Sequence, residues 1–241
     1  MVLDFNSTNM EVNKSLFSQE TLVSVAERHG TPVWLYNWSI IENRIQQLNR
    51  FFDVVRFAQK ANSNLAILQL MRSSGVLLDA VSAGEMVRAL RVFKATESVV
   101  DKEGPLRAEH IHDVVFTADV LDRDIIELLR ANPSKPGCEI AVNVGSIDMI
   151  RQLSQAGLSS MPLVLRINPG FGHGHSQKVN TGGSSSKHGI WHTQIQDAKQ
   201  LAQDLGMSII GLHMHIGSGS DFEHLSRVSS KLYMLLLFHS T

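Results

Sequence analysis

Short runs of apolar and β-branched residues recur along the chain, separated by longer stretches whose apolar positions fall at helical spacing. The runs predict strands near 33–37 (VWLYN), 54–60 (VVRFAQK), 77–82 (LLDAVS), 114–118 (VVFTA), 139–143 (EIAVN), 163–168 (LVLRIN) and 209–216 (IIGLHMHI). Start and stop signals bound the helical stretches. Asn62 or Asn64 can cap "LAILQLMRSS", and Gly75 can end it. "SAGE", residues 82–85, has the form of a capping box opening "GEMVRALRVF". "QIQDAKQLAQDLG" is a third clear helix, with Gly206 as its stop. Strand–helix alternation repeated this often predicts a parallel α/β sheet, either doubly wound or a (β/α)₈ barrel.

Two segments break the rhythm. Residues 92–113 (VFKATESVVDKEGPLRAEHIHD) are polar and irregular and read as a surface excursion within one domain. Residues 170–188 (GFGHGHSQKVNTGGSSSKH) form the longest stretch rich in Gly, Ser and His, and a loop of that length inside a compact domain is usually functional or mobile. No internal repeat is visible.

Composition narrows the class. The 241 residues are 43% hydrophobic, enough for one large α/β domain or two small ones with a real core. A formal charge of −1 gives no electrostatic footing for nucleic acid, and no basic block suggests a membrane patch. Cys138 is the sole cysteine, so an intrachain disulfide is ruled out and a reducing compartment is expected. The start is polar and mixed in charge, unlike a secretory signal. "LYMLLLF" falls far short of the roughly 20 apolar residues needed to span a bilayer. The expectation is a soluble, cytoplasmic protein.

The candidate chemistry gathers at strand ends. Lys60 closes the second predicted strand, which in a barrel places it at the C-terminal face where catalytic groups collect. A partly desolvated amine there can act as a nucleophile toward an aldehyde, whereas a solvated lysine is the plain alternative. His213 and His215 share one face of the last predicted strand, and "GSGS", residues 217–220, follows directly. Small residues after a strand let backbone N–H groups converge on a phosphate. A core histidine and an ordinary turn would give the same letters. The H-x-H pair also allows a zinc site with His173, His175, His188 or His192, although no cysteine or carboxylate sits beside it at ligand spacing. Asp79 and Arg166 lie within apolar strands, where a charge is costly unless paired or facing a polar pocket. Glu85 flanks the same strand end as Asp79, and the capping box accounts for it equally well.

"RFAQKANSN", "LDAVSAGE", "VFTADV", "LRINPGFGHGHSQKVNTGGSSSKHGIW" and "GLHMHIGSG" occur in that order. Together they closely resemble diaminopimelate decarboxylase, a pyridoxal-phosphate enzyme of the alanine racemase-like, ornithine decarboxylase-like fold. The resemblance runs from about residue 14 to about 227, and its glycine–histidine stretch is the most specific part. It implies that Lys60 matches the lysine holding the cofactor as a Schiff base, and that His215 matches the histidine stacked on the pyridine ring. Gly217 and Ser218 match the turn near the cofactor phosphate. Asp79, Glu85 and Arg166 match polar groups around the ring and its hydroxyl. The implied reaction removes carbon dioxide from meso-2,6-diaminopimelate to give L-lysine, with a homodimer expected for the full-length family.

The resemblance also implies a division of the chain. Residues 1–40 would carry the leading strand of a separate β domain, 41–227 a partial barrel, and 228–241 a divergent tail. About six of eight barrel strands are expected, with the C-terminal β domain absent, so the chain is expected to be a C-terminally truncated form with impaired solubility or activity. Other readings remain open: an ornithine or arginine decarboxylase of the same fold, a non-catalytic protomer that binds a partner subunit, and a metal-dependent hydrolase using His213 and His215.

Overall fold

The computed structural model describes residues 17–95, 112–117, 120–134, 138–172, 181–184, 186–217 and 222–239. Ser218, His173, His175 and most of the 92–113 excursion lie outside them. Contacts divide the chain into two units, Met1–Phe52 and Asp53–Thr241.

In the first unit, α1 (Gln19–His29) and α2 (Trp38–Asn49) are each opened by a side-chain cap. Ser18 Oγ accepts from Thr21 N at 3.1 Å, and Asn37 Oδ1 accepts from Ile40 N at 3.4 Å. The strand expected at 33–37 is not formed. Those residues form no regular element, and Val33 to Tyr36 are exposed, with Trp34 at 87%. An apolar run becomes a strand only when a neighbour takes up its N–H and C=O groups, and none does so among the described residues.

The second unit is an all-parallel sheet. Its strands are β1 (Arg56–Ala58), β2 (Leu77–Ala80), β3 (Val114–Thr117), β4 (Ile140–Val144), β5 (Leu163–Asn168), β6 (Ile190–Trp191) and β7 (Ile209–His213). β1 to β5 pair in sequence order, and β5 then serves two neighbours. Its residues 163–166 pair with β7, while Ile167 and Asn168 pair with the two-residue β6. Sequence pattern missed β6, which is too short to show a period. Gly189 permits it, because at φ +85° a Cβ there would stand 2.8 Å from the Asn168 amide nitrogen.

Each of the six longer strands leads to a helix: α3 (Leu65–Ser73), α4 (Ala83–Ala95), α5 (Arg123–Ala131), α6 (Ile147–Gln155), α7 (Ile195–Asp204) and α8 (Phe222–His239). This is the wall of an α/β barrel. The expected caps operate. Asn64 Oδ1 accepts from Ala66 N at 2.9 Å, and Asn62 Oδ1 supports the turn by accepting from Asn64 N at 3.0 Å. Gly75 and Gly206, at φ +77° and +67°, follow the last turns of α3 and α7. The excursion expected from residue 92 begins later, since α4 runs to Ala95 and buries Val92 and Phe93. Arg72 lies 3.8 Å above the Phe93 ring, so the last turns of α4 pack against α3.

Burial alternates along β2, β3 and the first part of β5. Leu78, Ala80, Val114, Phe116, Leu163 and Leu165 form the apolar layer, none more than 1% exposed. The opposite face carries Asp79, Thr117, Asn143, Arg166 and His213, matched by the pairings Thr117↔Asn143 and Arg166↔His213. One face is core and the other is a polar lumen.

Candidate functional site

Lys60 sits in a 3₁₀ turn, Gln59–Ala61, at the C-terminal end of β1. Gln59 is buried and Lys60 is exposed, so the turn sends consecutive side chains to opposite environments. The partial desolvation expected of Lys60 is therefore not met. Among the described residues β1 is bonded on one flank only, by β2, which leaves the lysine with a wall on one side. Its ammonium nonetheless acts electrostatically on both Asp79 and His215.

Asp79 stands on β2 and accepts a hydrogen bond from the Thr117 hydroxyl at 2.6 Å. Thr117 Oγ1 in turn accepts from Asn143 Nδ2 at 3.2 Å, so three strands are laced across the lumen. Burial raises the Asp79 pKa, and the Thr117 bond, then Arg56, then Lys60 oppose that rise. Arg56 enters from β1 and donates to the carbonyls of His112 at 2.8 Å and Leu78 at 3.1 Å. Burial lowers its pKa to about 10, against the pull of Asp79 and Asp113.

Glu85 does what a capping acid does. Its amide donates to Ser82 Oγ at 3.2 Å, and its Oε2 accepts from the Val81 amide at 2.9 Å, one residue further back than a simple box. It also acts on Asp79 as a like charge.

The other flank is basic. Arg166 faces His213 in register between β5 and β7. Burial first, then Arg166 and His215, push the His213 pKa down to about 4, and its buried Nδ1 has no hydrogen-bond partner among the described residues. His215 is lowered as well, by burial, then Arg166, Lys60 and His188. Both imidazoles are neutral at neutral pH. No group of three His, Cys, Asp or Glu gathers at metal-holding distance among the described residues. Gly217 follows at φ +141°, a backbone setting that side chains with a Cβ rarely adopt, ahead of α8.

Sequence reasoning missed two residues that build this flank. Thr181, from the glycine- and histidine-rich loop, lies with its hydroxyl 2.5 Å from His215 Nδ1. Asn168, 3% exposed, holds that loop at two points: its Oδ1 accepts from Gly170 N at 3.1 Å and Gly183 N at 2.9 Å. Neither stands in a motif. The legible signal for Asn168 was an amide closing an apolar strand immediately before Pro-Gly.

The structure thus brings Lys60, Asp79, Glu85, Arg166 and His215 to one end of the sheet, with Gly217 on the strand exit beyond His215. Residues 39–236 match the family model of the pyridoxal-dependent decarboxylase pyridoxal binding domain. Two curated relatives are diaminopimelate decarboxylases. That of Escherichia coli K12 is 46% identical over 89% of this chain and 48% of its own length. That of Streptomyces coelicolor is 47% identical over 86% of this chain and 43% of its own length. A crystal structure of a diaminopimelate decarboxylase superposes with a TM-score of 0.75 at 42% identity, over 96% of this chain and 49% of that one. The chain spans about half the length of the curated relatives it matches. With the family model covering most of its length, the chain belongs to the pyridoxal-dependent decarboxylases, through their pyridoxal-binding domain.

Proposed function

We propose that the chain forms the cofactor-binding part of an enzyme that decarboxylates meso-2,6-diaminopimelate to L-lysine, using pyridoxal 5′-phosphate. The observation that carries this reading is the amine-bearing turn of Lys60 at the C-terminal end of β1, whose Ala58 pairs with Asp79 at the head of the hydrogen-bonded row Asp79–Thr117–Asn143. The residues present fit such a ring. An amine is available to a carbonyl, a buried imidazole nitrogen on His213 has no partner among the described residues, and Gly217 holds a positive φ that favours glycine. The substrate follows the names of the relatives at 46% and 47% identity.

Lys60 would hold the cofactor covalently, His215 and Arg166 would hold its ring and hydroxyl, and Gly217 with Ser218 its phosphate. When bound, the pyridoxal ring supplies a π system that takes up the electron pair released as carbon dioxide leaves. Asp79 counterbalances the Lys60 cation from β2, and the Thr117 bond keeps its carboxylate turned to that task. His215, neutral at neutral pH, contributes an aromatic face without adding charge beside Arg166. Glu85 fixes the turn that leads from β2, the strand bearing Asp79, into α4. The working assembly is a cytoplasmic homodimer. No helix among the described residues is long and apolar enough to cross a membrane.

Titrating the chain with pyridoxal 5′-phosphate should produce a visible absorption band that K60A lacks. Adding meso-2,6-diaminopimelate, and not ornithine, should perturb it. A band of equal strength in K60A would remove the reading, and an equal response to ornithine would reassign the substrate.

A further inference from the structure

We propose that Thr181 is a positioning residue that fixes His215 as the tautomer protonated on Nδ1, leaving Nε2 as the acceptor of the ring. Thr181 Oγ1 lies 2.5 Å from His215 Nδ1 and 3.1 Å from the His215 carbonyl oxygen. A hydroxyl has one proton to give, and a carbonyl oxygen can only accept. Both contacts are satisfied in one arrangement: the hydroxyl donates to the carbonyl, and Nδ1–H donates to the hydroxyl oxygen. The reverse choice, with the hydroxyl donating to Nδ1, leaves two oxygen acceptors facing each other.

The hydroxyl is held from two directions. The Thr181 amide donates to the Ile216 carbonyl at 3.3 Å, so the loop is laced along the strand exit that bears His215. Two residues on, Gly183 is clamped to the end of β5, donating to Asn168 Oδ1 at 2.9 Å and accepting from Asn168 Nδ2 at 3.0 Å. Between them, Gly182 passes so close to the loop's other limb that a Cβ would stand 2.2 Å from the Phe171 carbonyl oxygen. The backbone carrying Thr181 therefore has little room to withdraw. The glycine- and histidine-rich loop thereby sets the protonation pattern of an imidazole 34 residues downstream.

That His215 contacts the cofactor rests on the function proposed above, whereas the tautomer does not. Long-range ¹H–¹⁵N spectra of the ¹⁵N-histidine-labelled full chain, without cofactor, read it directly, with His215 assigned by H215Q. Wild type and T181S should show Nδ1–H, and T181V should shift His215 toward Nε2–H. With pyridoxal 5′-phosphate as probe, T181V should bind about fivefold more weakly, the equivalent of one lost hydrogen bond, and T181S close to wild type. A wild-type His215 protonated on Nε2 overturns the assignment, and so does a T181V imidazole that keeps Nδ1–H. Should T181V not fold, wild type and T181S still decide the tautomer. If Lys60 proved not to take up the cofactor, the spectra would still decide the role of Thr181.

Discussion

The two flanks of the lumen satisfy their buried groups differently. On β2, β3 and β4, Asp79, Thr117 and Asn143 are joined by two hydrogen bonds, and only the far atom, Asn143 Oδ1, is left without a partner in that row. On β5 and β7, Arg166 and His213 meet in register as a cation beside an imidazole, and the buried Nδ1 of His213 has no partner among the described residues. Desolvation drives both flanks toward neutrality, raising Asp79 and lowering His213. The first flank meets that cost internally with a short bond to a carboxylate. The second is left with an imidazole nitrogen unmet, so each flank keeps one buried atom without a partner among the described residues, Asn143 Oδ1 on the first and His213 Nδ1 on the second. Lys60 follows β1, which pairs only with β2 among the described residues, so it belongs by position to the closed, hydrogen-bonded flank, although its charge also bears on His215.

Removing the layer behind both flanks should do most damage. Leu165, with none of its surface exposed, backs β5 between its partners on β4 and β7. Leu165→Ala should cost about 2–5 kcal/mol in chemical denaturation, with the spread set by how far the site can collapse. Because that loss falls on both flanks, it should lower thermal stability and cofactor affinity together.

Titration separates the flanks. His213 has a folded pKa of about 4 against 6.5 for the free side chain. Between those values the unfolded chain binds a proton that the folded chain does not, so stability is full above the unfolded value and falls as pH drops. The loss approaches roughly 3 kcal/mol at the acid end of the window. Asp79 gives a slope of the opposite sign, and His215 one of the same sign, so the informative quantity is the difference between wild type and H213Q. That difference should grow as pH falls from 6.5 toward 4 and be flat above the window. A pH-independent difference would mean that His213 is solvated.

The smallest effect belongs to the closed flank. Thr117→Val strands both Asp79 Oδ1 and Asn143 Nδ2, each of which bonds to the Thr117 hydroxyl. Leaving such groups unmet should cost about 1–3 kcal/mol. It should also raise the Asp79 pKa further, since the bond that opposes desolvation is gone. Thr117→Ser should restore most of the loss.

How much of this could be read from the letters differs by region. Asn64, Gly75 and Gly206 announced their roles because caps and stops are local: the residue that signals the turn also makes it. Strand 163–168 was legible for the same reason, as its apolar positions match the layer it buries, whereas the run expected at 209–216 pairs only as far as His213 and is half-buried throughout that strand. VWLYN failed because strand formation depends on a partner that no local letter specifies. Residues 92–95 failed in the other direction, since Arg72, in a different helix on the far side of β2 in sequence, supplies a contact to the buried Phe93. Lys60 was located correctly at a strand end, but its exposure depends on how many walls surround it, which is a property of the sheet. Thr181 was invisible, since a threonine in a polar loop acquires meaning only from its distance to His215.

Reduction with borohydride in the presence of pyridoxal 5′-phosphate, followed by peptide mass mapping, tests the central claim most directly. The account predicts that the label falls on Lys60 in the wild-type chain and disappears in K60A. A label on another lysine, or scattered over several with Lys60 spared, would contradict it.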